Sequence, residues 1–330
     1  MKLQTSANLG YEEDLWSIAN ALRGSMSPSD YKYVVLSLLF LKFISEQDSK
    51  ASRHFKVTTE ATWGYLLSQA KRGNLLSSIN KAIEILEKDN TILKNSFPNI
   101  FREVEIREDA LKEAVELINN IQNTNSSDTL GRIYEYFIGK FASLGGKEDG
   151  EFFTPKSVVQ LLVDMVQPYN GKIYDPCCGT GGLFIQSERF IEENGNNNNL
   201  EIYGQEQNPY TWKLAKMNLI INNIHGNLGE INADTFRKDQ HTTLKADFIL
   251  ANPPFNLKNW GAQKLEDDSR WTFGNPPDSN ANFAWVQHIL SHLNSEGVAG
   301  FVLSNGSLST SHNGIEGKIR KKIIESDLVD

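Results

Sequence analysis

The sequence changes character near Gly145 and Gly146, and this change limits the folds that the chain can adopt. After these two glycines, short apolar stretches alternate with amphipathic ones. The strand-like stretches are 172–175, 201–206, 246–255 and 298–304, and the helical ones are 182–193, 210–222, 281–293 and 314–326. Such alternation predicts a parallel sheet whose strands are joined by helices on both faces. We therefore predict an α/β domain over residues 146–330.

The part before the two glycines carries helical periodicity only. In 12–23, apolar residues recur three and four positions apart, which predicts a helix with one buried face. Ser27 and Pro28 mark the start of a second helix, as N-cap and first helical residue. Further helical stretches are 75–87, 108–121 and a connecting helix 129–141. We predict an all-helical N-terminal domain over residues 1–145.

Composition limits the compartment and the partners. The two cysteines, Cys177 and Cys178, are adjacent, so they make a poor disulfide and cannot build a thiolate metal site. The longest apolar stretch, 34–41, is too short to span a bilayer, and the N-terminus lacks a secretory signal. These features predict a cytoplasmic protein. The net charge of −8 lies mostly in 146–330, which argues against tight binding of nucleic acid by this chain alone.

A glycine-rich turn follows the first predicted strand. Asp175 begins the motif DPCCGTGG, which opens a helix. Glycines at such a turn let the backbone approach a ligand, and the amides at the helix N-terminus point towards it. Glu206 ends the second predicted strand, where an acid can accept hydrogen bonds from ribose hydroxyls. Phe184 occupies the third glycine position of the dinucleotide fingerprint, so a nucleoside fits better than a dinucleotide, and a structural turn is the alternative.

A second motif, Asn252-Pro253-Pro254-Phe255, follows the apolar strand 248–251 at its C-terminal end. Doubly wound sheets place their ligands at this end. The two prolines fix the backbone, so that the amide oxygen of Asn252 and the carbonyl oxygen of Pro253 form a rigid pair of acceptors. Such a pair can hold both N–H bonds of a weakly nucleophilic amine, while Phe255 stacks on a flipped base. The alternative is a simple turn after a strand, which the preceding glycine motif disfavours.

Several segments together resemble a known family. DPCCGTGG, EQNP and ANPPF resemble the cofactor and catalytic motifs of the N6-adenine amino-methyltransferases. LWSIANALRGSMSPSDYKYVVLSLLFLKFISE, EYFIGKFA and RWTFGNPPDSNANFAW resemble segments of the modification subunits of type I restriction–modification systems. The resemblance covers essentially the whole chain and implies a Rossmann-like S-adenosylmethionine-dependent methyltransferase sheet preceded by an all-α N-terminal domain. Because such subunits continue well past position 330, it also implies that the last strands and a C-terminal tail are missing.

The resemblance assigns roles to individual residues. The catalytic set would be Asn252, Pro253, Pro254 and Phe255. The S-adenosylmethionine pocket would be lined by Glu151, Phe152, Phe153, Thr154, Pro155, Lys156, Asp175, Gly179, Thr180, Gly181, Gly182, Glu206 and Asp234. In this set Asp175 would lie beneath the methionine portion. Asp234 would contact the cofactor adenine, with a helix N-cap as an equal alternative.

The implied function is transfer of a methyl group from S-adenosylmethionine to adenine N6 at specific DNA sites. The implied partners are DNA, a specificity subunit that binds two modification subunits, and the restriction subunit of the full complex, with no membrane. The first alternative is a methyltransferase acting on RNA or on N5 of a protein glutamine, whose amide poses the same chemical problem. The second is an inactive assembly subunit. The helical N-terminal domain argues against the first, and intact Asn252 and Gly179 argue against the second.

Three further features are candidates for functional sites. Two of them are predicted to carry no catalytic chemistry, and the third leaves two interpretations open. His288 and His292 lie four residues apart but lack the metalloprotease Glu, so we predict ordinary histidines on a helix surface and no metal site. The basic stretch 318–322 is predicted to be a solvated face. The long loop after the catalytic motif carries Trp260, Trp271 and Phe273, which either touch DNA or pack onto the domain.

Overall fold

The computed structural model describes residues 12–46, 55–121, 127–144, 154–194 and 200–329. The chain forms two compact units. The first comprises Met1–Phe153 with Tyr210–His225, and the second comprises Thr154–Pro209 with Gly226–Asp330. The predicted domain boundary between residues 145 and 146 falls outside the described residues and stays a prediction.

The first unit is helical, as predicted. Its helices are α1 (Glu12–Arg23), α2 (Pro28–Glu46), α3 (Trp63–Ala70), α4 (Leu75–Asp89), α5 (Ile100–Glu103), α6 (Glu108–Asn119) and α7 (Ser127–Leu144), with 3-10 turns at Thr59–Ala61 and Thr91–Leu93. One apolar core joins them, with Leu15, Phe40, Leu86 and Phe137 fully buried. The helix Pro209–Ile221 adds Met217 and Ile221 to the same core.

Local capping explains where several of these helices begin. The carbonyl of Ser27 accepts the amides of Asp30 and Tyr31 at the start of α2, as expected for its N-cap. The hydroxyl of Thr62 accepts the amide of Tyr65 at the start of α3. Helix α4 is capped from elsewhere in the chain, because the carboxylate of Glu108 accepts the amides of Leu75 and Leu76.

The second unit is built on a parallel sheet. Its strands are β1 (Gly171–Asp175), β2 (Leu200–Gly204), β3 (Gly226–Asn227), β4 (Ala246–Ala251) and β5 (Leu293–Phe301), in the order β3-β2-β1-β4-β5. All pairs are parallel. The helices of this unit are α8 (Lys156–Val166), α9 (Gly182–Glu193), α11 (Asn282–His292), α12 (Gly306–Ser309) and α13 (Ile315–Glu325). Helix α10 (Pro209–Ile221) follows β2 in the chain but belongs to the first unit from Tyr210 onwards. The strand order reverses beside β1, which creates a crevice at the carboxyl ends of β1 and β4.

The predicted fold class is confirmed, and the largest difference from a predicted boundary is at the last strand. The last strand begins at Leu293, earlier than the predicted 298–304. A shift of register explains the difference: Ala246 pairs with Leu293, the ladder is interrupted, and pairing resumes between Phe248 and Val298. Within the described residues, no helix combines the length and the apolar character needed to cross a bilayer.

Candidate active site

The predicted functional residues of the second unit follow strands that are neighbours in the sheet. Asp175 is the last residue of β1 and pairs with Gly204, the last residue of β2. Asn252 follows directly after Ala251, the last residue of β4, which also pairs with β1. Because parallel strands end at the same edge, both motifs open on the crevice where the strand order reverses.

The glycine-rich turn requires glycine at two positions. Gly179 has φ +54° and Gly181 has φ +80°, in the left-handed region that L side chains disfavour. Helix α9 then begins at Gly182 without a side-chain cap, and a Cβ atom on Gly182 would meet no atom within 4 Å. The backbone at this turn is therefore open to close approach by a ligand, as the predicted cofactor motif requires.

Two buried carboxylates lie beside this turn. Asp175 is 2% exposed and Glu206 is 6% exposed. Burial raises the pKa of Asp175 from 3.8 to about 7, and nearby Glu206 adds to the rise. Burial also raises the pKa of Glu206, although its carboxylate accepts the amides of Gly179 at 3.1 Å and Asn208 at 2.7 Å. Buried carboxylates with raised pKa values favour a ligand that is cationic or donates hydrogen bonds.

Gln205 holds the neighbouring segment in place, although no sequence motif predicted this role. Its fully buried amide donates to the carbonyls of Ala233 at 3.2 Å and Lys238 at 2.9 Å. Its carbonyl oxygen accepts the amide of Gln240 at 3.0 Å. The only sequence signal was a polar residue directly after an apolar strand, beside Glu206. Gln205 therefore fixes the segment that carries the predicted cofactor residue Asp234.

Asp234 caps a turn rather than a helix. Its Oδ1 accepts the amides of Phe236 at 2.9 Å and Arg237 at 3.3 Å, and its carbonyl accepts the amide of Lys238. Its other carboxylate oxygen lies 3.5 Å from Nε of Arg237. These contacts give Asp234 a structural part, and its contact with the cofactor adenine stays a prediction.

The catalytic motif presents a free acceptor beside an exposed ring. Nδ2 of Asn252 donates to the hydroxyl of Thr154 at 3.0 Å, whereas its buried Oδ1 has no hydrogen-bond partner among the described residues. Pro253 is buried, and Phe255 is 49% exposed although it is a large apolar side chain. A buried orphan acceptor next to an exposed aromatic ring suits a planar ligand that carries N–H donors.

The segment predicted to close over the cofactor is only partly described. Glu151, Phe152 and Phe153 lie outside the described residues. Thr154 contacts Asn252, and Pro155 and Lys156 are exposed at the start of α8. The structure thus joins one member of the predicted cofactor segment directly to the predicted catalytic residue.

Asn282 is a second residue that the sequence analysis missed. It is 1% exposed, and it forms a reciprocal pair with Asn256, the residue after the catalytic motif: Oδ1 accepts the Asn256 amide at 2.9 Å, and Nδ2 donates to the Asn256 side chain at 3.0 Å. Nδ2 also contacts the hydroxyls of Ser304 and Ser307. Because Asn256 has a positive φ of 53°, this pair holds the motif in a strained turn.

The aromatic loop, which we define as residues 256–281, packs onto the domain through both tryptophans. Trp260 and Trp271 are buried against Phe236 and Trp285. Their indole N–H groups donate to the carbonyls of Pro277 and Leu265 within the loop. Of the two interpretations of Trp260 and Trp271, the structure therefore supports packing onto the domain.

The prediction that His288 and His292 lie on a helix surface is wrong. Helix α11 is buried along most of its length, and the two histidines are 0% and 3% exposed. Their i, i+4 spacing fitted a surface or a buried face equally well, and packing around α11 decided the outcome.

These histidines and Asp239 each offer a ligand atom within 4.8 Å of the others, so they are a candidate metal cluster. Nη1 of Arg270 lies 3.0 Å from Nδ1 of His288, and a guanidinium only donates. Nδ1 must therefore accept, which places the ring proton on Nε2, 3.1 Å from the hydroxyl of Tyr174. Burial holds the pKa of His288 well below 6.5, with a further contribution from His292. With both nitrogens engaged, His288 belongs to a neutral hydrogen-bonded network, and the absence of a metal site stays a prediction.

The fold and the site together define the class of a Rossmann-like methyltransferase with a nucleoside-type cofactor pocket. A family profile described as N-6 DNA Methylase matches residues 125–330, and one described as HsdM N-terminal domain matches residues 11–121. The chain belongs to the N-6 DNA methylase family. S-adenosylmethionine is the methyl donor of this family, which confirms the predicted cofactor at the level of the family.

Relatives confirm the predicted resemblance. The type I restriction enzyme HindI methylase subunit of Haemophilus influenzae is 45% identical over 82% of this chain and 62% of its own length. The MjaIX methylase subunit of Methanocaldococcus jannaschii is 35% identical over 97% of this chain and 65% of its own length. The chain thus spans less than two thirds of these relatives. A crystal structure of a type I methyltransferase subunit from Streptococcus thermophilus has the same fold, with a TM-score of 0.81 at 24% identity, covering 97% of this chain and 79% of that one.

Proposed function

We propose that this chain is the modification subunit of a type I restriction–modification complex and methylates adenine N6 at specific DNA sites. It would be a site-specific, adenine-specific DNA methyltransferase in the cytoplasm. The observation that carries the proposal is the buried Oδ1 of Asn252, which has no hydrogen-bond partner in the described part of the chain and is followed by exposed Phe255, one strand away from buried Asp175. An acceptor, a stacking ring and a cofactor turn are then joined along one crevice.

The residues present fit S-adenosylmethionine. The open backbone at Gly182 admits close approach, and the Glu206 carboxylate beside Gly179 suits ribose hydroxyls. Asp175 supplies a negative charge for the cationic methionine portion when it is ionised. When bound, the cofactor supplies a strongly electrophilic methyl group on a sulfonium. The assignment of the individual pocket residues, including Thr154 to Lys156 and Thr180, is part of this proposal.

The proposed catalytic step depends on positioning. The adenine amine is a weak nucleophile because its lone pair is delocalised into the ring. Oδ1 of Asn252 and the carbonyl of Pro253 would accept its two N–H bonds, and these hydrogen bonds strengthen as the nitrogen becomes positive. Thr154 holds Nδ2 of Asn252, which leaves Oδ1 as the acceptor of this amide that has no partner among the described residues. Pro254 keeps the turn rigid, and Phe255 would stack on the flipped base.

The charge of the chain agrees with action inside a complex. The net charge of −8 supplies little of the phosphate attraction that dominates DNA affinity. We propose that a specificity subunit binds two copies of the modification subunit and supplies sequence recognition, and that a restriction subunit completes the assembly. The isolated chain should therefore bind DNA weakly and without sequence preference at physiological salt.

The deciding experiment is methyl transfer from labelled S-adenosylmethionine to adenine-containing DNA, with and without a cognate specificity subunit. Asn252→Ala should lower transfer by about 10²–10³-fold, the scale for deleting one transition-state hydrogen bond. Cofactor affinity, measured by calorimetry, should survive the substitution, because Asn252 is assigned to the base. Asn252→Asp is the matched control, since it keeps an acceptor oxygen at the same position and should retain more activity than the alanine variant.

The nature of the product separates this proposal from its alternatives. Near-normal turnover in Asn252→Ala would make the catalytic assignment wrong. A methyl group on cytosine, on RNA or on N5 of a protein glutamine would contradict the proposed substrate. Cofactor binding without methyl transfer in the reconstituted complex would favour an inactive assembly subunit.

A further inference from the structure

Arg270, in the aromatic loop, uses all of its hydrogen-bond donors. A guanidinium carries five N–H bonds. Two of them form a fork with Asp268, Nε to Oδ1 at 2.8 Å and Nη2 to Oδ2 at 2.7 Å. The others reach the carbonyls of Thr235 at 3.1 Å and Phe236 at 2.6 Å, and Nδ1 of His288 at 3.0 Å. We name Arg270 and these four partner residues the Arg270 clamp.

The clamp lies in a partly dry environment. The side chains of Arg270 and Asp268 are 10% and 17% exposed. Burial acts to raise the pKa of Asp268, but the hydrogen bonds from Arg270 outweigh it and hold that pKa below the ordinary value. A bidentate arginine–carboxylate pair that also binds two carbonyls fixes geometry more strictly than a single ion pair.

One end of the clamp reaches the predicted cofactor pocket. The two carbonyls that Arg270 holds belong to the turn that Asp234 caps. Thr235, which supplies one of these carbonyls, also donates its hydroxyl to the carbonyl of Pro176 at 2.6 Å. Pro176 belongs to the glycine-rich turn. A displacement of the clamp would therefore move both Asp234 and the turn at Pro176.

The other end is fixed to the sheet. Nδ1 of His288 accepts from Arg270, and its Nε2 lies against the hydroxyl of Tyr174 on β1, the residue before Asp175. His288 is fully buried, so the clamp has a rigid anchor. The aromatic loop itself is exposed at Lys258 and Lys264, between the catalytic motif and Arg270.

We propose that Arg270 is a positioning residue that couples the aromatic loop to the cofactor pocket, so that cofactor binding and loop order stabilise each other. The inference rests on the proposed function, because it takes S-adenosylmethionine as the ligand of that pocket. Coupling between two sites is reciprocal: a ligand that tightens the turn at Asp234 must also tighten the loop, by the same factor. The loop begins directly after Phe255, so its order also sets how the catalytic motif is presented.

Limited proteolysis of this chain tests the coupling without any turnover. Trypsin cleaves at Lys258 and Lys264 only when the loop opens locally. Saturating S-adenosylmethionine should slow cleavage at both sites by about tenfold, within the usual range of site–site coupling. In Arg270→Ala this protection should fall below about twofold, and cofactor Kd should rise by about the same factor that protection loses.

Arg320→Ala is the matched control, because Arg320 is another arginine that clamps backbone in the same unit. It donates to the carbonyls of Ser307 and Thr310 and to the Thr310 hydroxyl. Its loss should lower thermal stability but leave cofactor affinity and loop protection as in the wild type. Arg270→Lys should restore part of the affinity, since an ammonium has three donors but no planar fork. Asp268→Asn keeps Arg270 in place and should reduce the cofactor's protection of the loop by a smaller factor than Arg270→Ala does. This variant replaces Arg270→Ala in the test if the alanine variant does not fold.

The outcomes separate two failures. If the wild-type chain binds S-adenosylmethionine but the cofactor does not slow cleavage at Lys258 and Lys264, the coupling is overturned. It is also overturned if Arg270→Ala binds cofactor as tightly as the wild type, or if Arg320→Ala loses protection equally. If the wild-type chain does not bind S-adenosylmethionine, the proposed function fails and this inference fails with it.

Discussion

Replacing Asp175 by asparagine should stabilise the ligand-free protein at alkaline pH while weakening cofactor binding. Burial holds the pKa of Asp175 at about 7 rather than 3.8. At about 1.36 kcal/mol per pKa unit, ionising this side chain in the folded state costs about 4 kcal/mol. Asparagine avoids that cost and still accepts the amide of Cys177, which now donates to Oδ1 at 3.0 Å.

The pH dependence fixes the sign of this effect. Between pH 3.8 and 7 the folded protein keeps a proton that the unfolded chain has released, so stability falls as pH rises through this window. The stabilisation by Asp175→Asn should therefore grow by about 2 kcal/mol between pH 5 and 7 and level off about one pH unit above the folded-state pKa. The melting temperature of the variant relative to the wild type should rise by roughly 2–4 °C for each kcal/mol.

The assay is a thermal melt of both proteins at several pH values, with calorimetry of S-adenosylmethionine binding in parallel. Wild-type affinity should rise by about tenfold from pH 6 to pH 8, as ionised Asp175 becomes available to the cationic methionine portion, and the variant should show a smaller rise. A variant that is no more stable than the wild type at pH 8 would refute the argument. So would a stability difference that shrinks as pH rises.

Three further substitutions probe the other parts of the site. Glu206→Ala should weaken cofactor binding by about 2–4 kcal/mol in calorimetry, through loss of charge-assisted hydrogen bonds, and unchanged affinity or tighter binding of NAD would contradict the ribose assignment. Phe255→Ala should raise the KM for DNA, because the base loses about 1–3 kcal/mol of stacking, and it should leave the cofactor Kd unchanged. An unchanged KM would exclude stacking. Asn282→Ala should lower kcat and lower stability by about 1–3 kcal/mol, because Asn256 loses both of its hydrogen bonds to Asn282 and keeps the one from the Ser304 hydroxyl. A melt and a turnover assay check this, and full activity would show that Asn256 does not need Asn282.

The parts of the site that could be predicted are those that strand ends specify. Asp175 and Asn252 each follow a short apolar run, and parallel pairing brings such positions to one edge whatever the loops do. Motif chemistry then marked Gly179 and Gly181, whose positive φ angles confirm the need for glycine. These predictions required only the local sequence and the rule that parallel strands end at the same edge of a sheet.

The supporting residues could not be predicted, because their partners are distant in sequence. Gln205 binds residues 28–35 positions later, and Arg270 binds carbonyls 34 and 35 positions earlier. A polar residue in a loop gives no sign that it will be buried. The histidines of α11 show the same limit: their spacing describes one helix face, but only tertiary packing decides whether that face meets water or the core.

The distribution of unsatisfied groups separates the residues that support the site from those that would meet a ligand. Arg270 has every donor engaged, and both side-chain groups of Gln205 and Asn282 are bonded. In contrast, Asn252 buries an acceptor that has no partner among the described residues, and Asp175 is a carboxyl group whose ionisation burial disfavours. Buried polar groups are normally paired, so these two costs persist where a ligand would offset them. The N–H bonds of a base would satisfy the first, and a cationic cofactor would satisfy the second, so the proposed function would place both reactants of a methyl transfer at the ends of adjacent strands β4 and β1.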